Sequence, residues 1–177
     1  MTMRHSVIIT VQCYHHRAVL LGWLGRMKEA RENKWLEIQH LPNSNPDRLV
    51  YMSKKYTTEH NGDSAKYYIT RLLDFCDNNK HCKQDYRDYL RIIAVSLADG
   101  PSKGKVLLHK LLRANPHNDL LHELQKNWKA FVESLSQDVW CTGKLCFGTE
   151  ERWFYIYSTM RRWALYGSDN IVAFLTI

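Results

Sequence analysis

Residues 6–13 read Ser6-Val7-Ile8-Ile9-Thr10-Val11-Gln12-Cys13. This uncharged run, rich in β-branched residues, has the composition of a buried strand. How it is read decides the fold, because a strand here needs sheet partners, and two neighbouring segments offer themselves. Trp35 to Leu41 alternates in part and reads as a second strand. Asp47 to Tyr56, through Leu49, Val50, Tyr51 and Met52, reads as a third. Between them Pro42-Asn43-Ser44-Asn45-Pro46 is a turn, since prolines fix φ and Asn and Ser side chains bond their own backbone. From His15 the period changes: Val19, Leu20, Trp23, Leu24, Met27 and Ala30 recur at helical spacing, with Arg26, Lys28, Glu29, Arg31 and Glu32 as the polar face. Gly22 and Gly25 weaken that helix by roughly 1 kcal/mol each, or mark close approach of another backbone. Residues 1–60 are therefore expected to run strand, helix, strand, strand.

The region 61–137 reads as helical throughout. Asp63 or Ser64 can cap a helix whose stripe is Ala65, Tyr68, Ile69, Leu72, Leu73 and Cys76, ended by Asn78-Asn79. A second begins near Cys82, with Tyr86, Tyr89, Leu90, Ile93 and Leu97 inward and Arg87, Asp88 and Arg91 outward, and stops at Asp99-Gly100-Pro101. A short helix from Ser102 to Arg113 follows. The next, from Asn118 to about Gln137, sets Leu121, Leu124, Trp128, Phe131 and Leu135 on one face. In region 138–177, Val139–Gly148 reads as a hairpin with Gly143-Lys144 in a type II′ turn, Glu150–Tyr166 as a helix, and Ile171–Ile177 as a final strand. The expectation is a single α+β domain over 1–177, predominantly helical, its small mixed sheet built from the N- and C-terminal strands and packed against four to six helices.

At 177 residues the chain is long enough for one substantial core. Its 45% hydrophobic and 24% charged residues exclude wholesale disorder. Lys and Arg number 25 against 18 Asp and Glu, a formal charge of +7 that favours polyanionic partners. No run of about 18 apolar residues occurs, which argues against a transmembrane helix. Five unevenly spaced cysteines do not suggest a secreted disulfide framework, and Asn-x-Ser/Thr sites are absent. These features together point to the cytoplasm.

Two cysteine pairs invite a metal reading. In the expected hairpin Cys141 and Cys146 face each other with Cβ atoms about 5 Å apart. Cys76 and Cys82, with His81 beside them, flank a helix junction. Brought together, Cys76, Cys82, Cys141 and Cys146 would make a tetrahedral zinc site with His81 as a substitute ligand. Against this, neither pair has the usual Cys-x2-Cys spacing, and Cys76 lies on an apolar stripe. Nine histidines include His15-His16 and the group His109, His117 and His122, but no spaced metalloprotease motif occurs and no carboxylate pairing points to catalysis. Gly100-Pro-Ser-Lys-Gly-Lys105 has one residue too few between its glycines for a P-loop. What it offers is a Gly/Ser/Lys turn at a helix start.

Basic residues mixed with aromatics carry the functional expectation. Lys103, Lys105, Lys110 and Arg113 lie on or beside one helix, Lys80 and Lys83 at the preceding junction, and Arg161 and Arg162 beside Trp163. Such cations neutralise phosphates, and exposed rings stack on bases. The expected function is a non-enzymatic accessory protein that binds nucleic acid through these residues. Six tryptophans and ten tyrosines support a rival: a modulator or inhibitor, such as one carried by a virus or mobile element, docking on a larger partner or an acidic protein surface.

Overall fold

In the computed structural model of the chain, residues 3–136 are described, and among them there are eight helices and no strand. The α+β expectation, with its small mixed sheet and four to six helices, is overturned. Ser6–Cys13 lies inside α1 (Met3–Trp23), Trp35–Leu41 falls almost wholly in α2 (Met27–His40), and Asp47–Tyr56 lies in α3 (Pro46–Thr58). The Val139–Gly148 hairpin, the Glu150–Tyr166 helix and the Ile171–Ile177 strand lie outside the described residues.

The reason is physical. A β-branched residue gives up only a few tenths of a kcal/mol in a helix, and a buried face outweighs that. In α1 the buried residues Val11, Ala18, Val19 and Leu21, with half-buried Tyr14 and His15, hold a 3.6-residue period that an eight-residue window cannot display. The expected helix from His15 through Glu32 is broken at Gly25, whose φ of 73° is left-handed and turns the chain into α2. The Pro42–Pro46 segment is a turn, as expected, but it opens a helix. Asn45 is the N-cap of α3, its side-chain oxygen accepting from the N–H groups of Asp47 at 2.9 Å and Arg48 at 3.4 Å, and Pro46 takes the first helical position.

The later helices follow the sequence reading closely: α4 (Gly62–Asn78), α5 (Gln84–Asp99), α6 (Pro101–Ala114), α7 (Asp119–Lys126) and α8 (Trp128–Ser136). The cap of α4 is Asn61, not Asp63 or Ser64; its side chain accepts from the Ser64 N–H at 3.2 Å. The single helix expected from Asn118 to Gln137 is divided at Asn127 into α7 and α8.

The core forms as three clusters that advance along the chain. Val11, Ile38, Leu41 and Met52 join α1, α2 and α3. Leu49, Ile69, Leu72, Cys76, Leu90, Ile93 and Ala94 join α3, α4 and α5. Ile92, Leu108, Leu112, Leu121 and Leu124 join α5, α6 and α7. Tyr68 packs against the first two clusters, Tyr89 and Phe131 against the second and third.

Polar links close the helix ends that would otherwise carry orphan carbonyls. Arg48 of α3 donates to the carbonyls of Ile38, Gln39 and Leu41 at the end of α2, at 3.2, 3.0 and 2.8 Å. Arg87 and Arg91 of α5 both donate to the Cys76 carbonyl in the last turn of α4. Asp88, expected to point outward, is buried: it accepts from Gln84 at 2.6 Å and Arg91 at 3.3 Å, and desolvation raises its carboxyl pKa.

Candidate nucleic-acid interface

Helix α6 is positioned by α5 at both ends. Only Gly100, at φ 94°, separates them, and Pro101 starts α6 at its first position. Four residues on, Gly104 rests against Ser96, so close that a Cβ there would lie 1.9 Å from the Ser96 Oγ. At the far end Asn115 donates to Asp85, in the first turn of α5, at 3.0 Å. The pair is therefore antiparallel, and α6 buries Gly104, Leu108 and Leu112 along one face.

The other face is solvent. Ser102, Lys103, Lys105, Val106, His109, Lys110, Arg113 and Ala114 are all exposed, and α6 contains no carboxylate. With a rise of about 1.5 Å per residue, Lys103 to Arg113 spans about 15 Å. Between residues 100 and 130 there are six Lys and Arg against two Asp and Glu, so this stretch holds four of the seven net positive charges. The nearest anion is Asp99, 3.8 Å from the Lys103 Nζ, with both side chains exposed. A pair so open to water contributes little and leaves the lysine available.

Lys80 and Lys83 are exposed in the turn between α4 and α5. The Asn115–Asp85 link brings that turn to the end of α6 that carries Arg113, so these cations share one end of the α5/α6 pair while Lys103 and Lys105 occupy the other. Arg161 and Arg162 lie outside the described residues. Two further cations, absent from the sequence-based expectation, are Lys126 on α7 and Lys129 on α8, both exposed. Their surface joins that of α6 where Gln125 donates to His109 Nδ1 at 3.4 Å. His122 donates through Nε2 to the Pro116 carbonyl at 2.8 Å.

Of the four cysteines read as zinc ligands, Cys76 is fully buried in the central cluster and Cys82 half-buried, while Cys141 and Cys146 lie outside the described residues. Burial, opposed by the Arg91 guanidinium, pushes the Cys76 thiol up to about 12, and burial also raises the Cys82 thiol pKa. Among the described residues no group of three or more His, Cys, Asp or Glu side chains is disposed to hold a metal.

One ionisable cluster has no signal in the sequence. Glu37 of α2 is fully buried and accepts from His15 of α1 at 3.1 Å and from Lys34 at 2.9 Å. It links two helices through residues 22 positions apart.

No family model, no curated protein and no solved structure matches this chain. What remains to indicate function is geometry and charge. Among the described residues, no helix is long and apolar enough to cross a membrane.

Proposed function

We propose that this chain is a non-enzymatic accessory protein that binds nucleic acid through the exposed face of α6, with Lys80, Lys83, Lys126 and Lys129 extending that surface. The observation that carries the reading is α6 itself: a helix without a carboxylate, its solvent half bearing Lys103, Lys105, Lys110 and Arg113. Side chains in that pattern neutralise phosphates and release condensed counterions.

The test is a fluorescence-anisotropy titration of the full chain against labelled DNA at about 50 and about 200 mM salt. For double-stranded DNA each phosphate contact contributes about 0.9 to the slope of log affinity on log salt, so the four α6 cations together contribute about 3.6. The variant K103Q/K105Q/K110Q/R113Q is expected to lose that part of the slope, and with it affinity at low salt. No binding by the native chain at low salt, or an unchanged slope in the variant, defeats the reading.

A second reading is favoured by a different surface. Leu20, Trp23 and Leu24 are 54%, 63% and 71% exposed and lie at i, i+3 and i+4 at the end of α1 and just beyond it. Three large apolar side chains together at the surface suit a protein partner. That reading predicts a complex that survives moderate salt and is lost on replacing Leu20 and Leu24 with Ser.

A further inference from the structure

The arrangement of side chains around α6 says more than its charge. At about 100° per residue, Gly104, Leu108 and Leu112 mark the buried side. Opposite them the outermost line is Lys103, Val106, Lys110 and Arg113, at i, i+3, i+7 and i+10. Val106 stands in this line at 70% exposed, among the most exposed large apolar side chains of the described residues. Lys110 and Lys103 lie about 40° and 60° to one side of it, and Arg113 and Lys105 about 20° and 100° to the other. An apolar side chain is thus held at the crest of a helix with cations on both sides.

A row of phosphates gives an exposed valine nothing to contact. A single strand would take the cations but calls for aromatic rings on which to stack its bases. Among the described residues the exposed aromatics include Trp23 of α1 and Tyr67 of α4, and neither helix contributes to the cluster that seats α6. The major groove of B-DNA satisfies both features. It is about 12 Å wide, admits one α-helix, is walled on both sides by phosphates, and presents the thymine 5-methyl group on its floor. The exposed arc of α6, from Lys105 round to Ala114, is about half the helix circumference, enough to enter it.

We propose, resting on the nucleic-acid reading above, that the ligand of α6 is double-stranded DNA, with α6 in the major groove, Val106 against base edges and thymine methyls, and the flanking Lys and Arg on the two phosphate walls. A-form RNA is disfavoured, because its major groove is too deep and narrow for side chains to read.

The test uses the full chain and four labelled probes: a dA·dT duplex, the same duplex with dU for dT, the separated strands, and an RNA duplex. The dA·dT duplex is expected to bind tightest, with the dU duplex about fourfold weaker for each methyl group that Val106 would otherwise cover. Val106→Ala should abolish the difference between dT and dU. Val106→Glu, at an exposed site where folding is indifferent to it, should lower duplex affinity by about tenfold or more through repulsion from phosphate. Equal or tighter binding of single strands or of the RNA duplex overturns the groove assignment and leaves the α6 phosphate surface standing. So does an equal affinity for dT and dU duplexes in the native chain. No binding to any probe at low salt removes both proposals.

Discussion

Replacing Gly104 with Ala tests the seat of α6 directly. In an open helix the change would stabilise the chain by about 1 kcal/mol, the difference in helix propensity. Here the new Cβ would lie 1.9 Å from the Ser96 Oγ, 3.1 Å from its Cβ and 3.4 Å from its Cα. Rotating Ser96 relieves the first contact, but the other two are fixed by the backbone of α5, so the helices must part slightly. Overpacking of this kind costs about 1–3 kcal/mol. The expected balance is a net loss of about 1 kcal/mol, or about 2–4 °C in Tm for a protein of this size. Ser96→Ala alone should be neutral or mildly stabilising, because the Ser96 hydroxyl is buried without a hydrogen-bond partner. The double variant S96A/G104A should recover about 1 kcal/mol relative to the sum of the two. Urea unfolding followed by circular dichroism measures all three. If Gly104→Ala raises stability by about 1 kcal/mol, or if the two changes add, then α5 and α6 do not approach as closely as described and the exposed face of α6 is wrongly set.

Arg48→Met removes the guanidinium that closes α2 and leaves three carbonyls of Ile38, Gln39 and Leu41 without that donor. The expected loss is about 1.5–3 kcal/mol, read as a lower urea midpoint at unchanged m. Alkaline pH should destabilise the fold, because burial pushes both the Cys76 thiol and the Tyr89 hydroxyl up to about 12. Each is protonated in both states below its unfolded pKa, so its contribution is complete there. Above that pKa the unfolded chain loses a proton that the folded chain keeps, and stability falls by up to about 1.4 kcal/mol per pH unit for each group until pH reaches about 12. Urea midpoints at several alkaline pH values check this, and Cys76→Ala and Tyr89→Phe should each flatten the decline.

The fold is legible in the sequence where helices carry their own punctuation. From α4 onward the stripes repeat over several turns, and Asn78-Asn79, Gly100-Pro101 and Asn115-Pro116 stop them. The first three helices resemble strands because their most apolar stretches are short and rich in Val, Ile, Leu or Trp, a composition that strand and buried helix share. Asn45-Pro46 carries the contrary signal, a cap followed by a first-turn proline, although its composition also fits a plain turn. The α6 surface is legible because the positions of its cations follow once the buried stripe is known. Arg87 and Arg91 are not: their role depends on the Cys76 carbonyl, 11 and 15 residues away, which no local pattern announces. The same holds for His15 and Glu37.

The succession of core clusters along the chain has a consequence for how this protein can change. Each cluster draws its buried side chains from three consecutive helices, so the cluster that seats α6 shares none with the one that joins α1 to α2. Substitutions on the outer face of α6 therefore need no compensation at the other end of the molecule. Such a chain can vary the composition of one surface while the opposite end keeps its own, and two binding activities could be gained or lost along it independently.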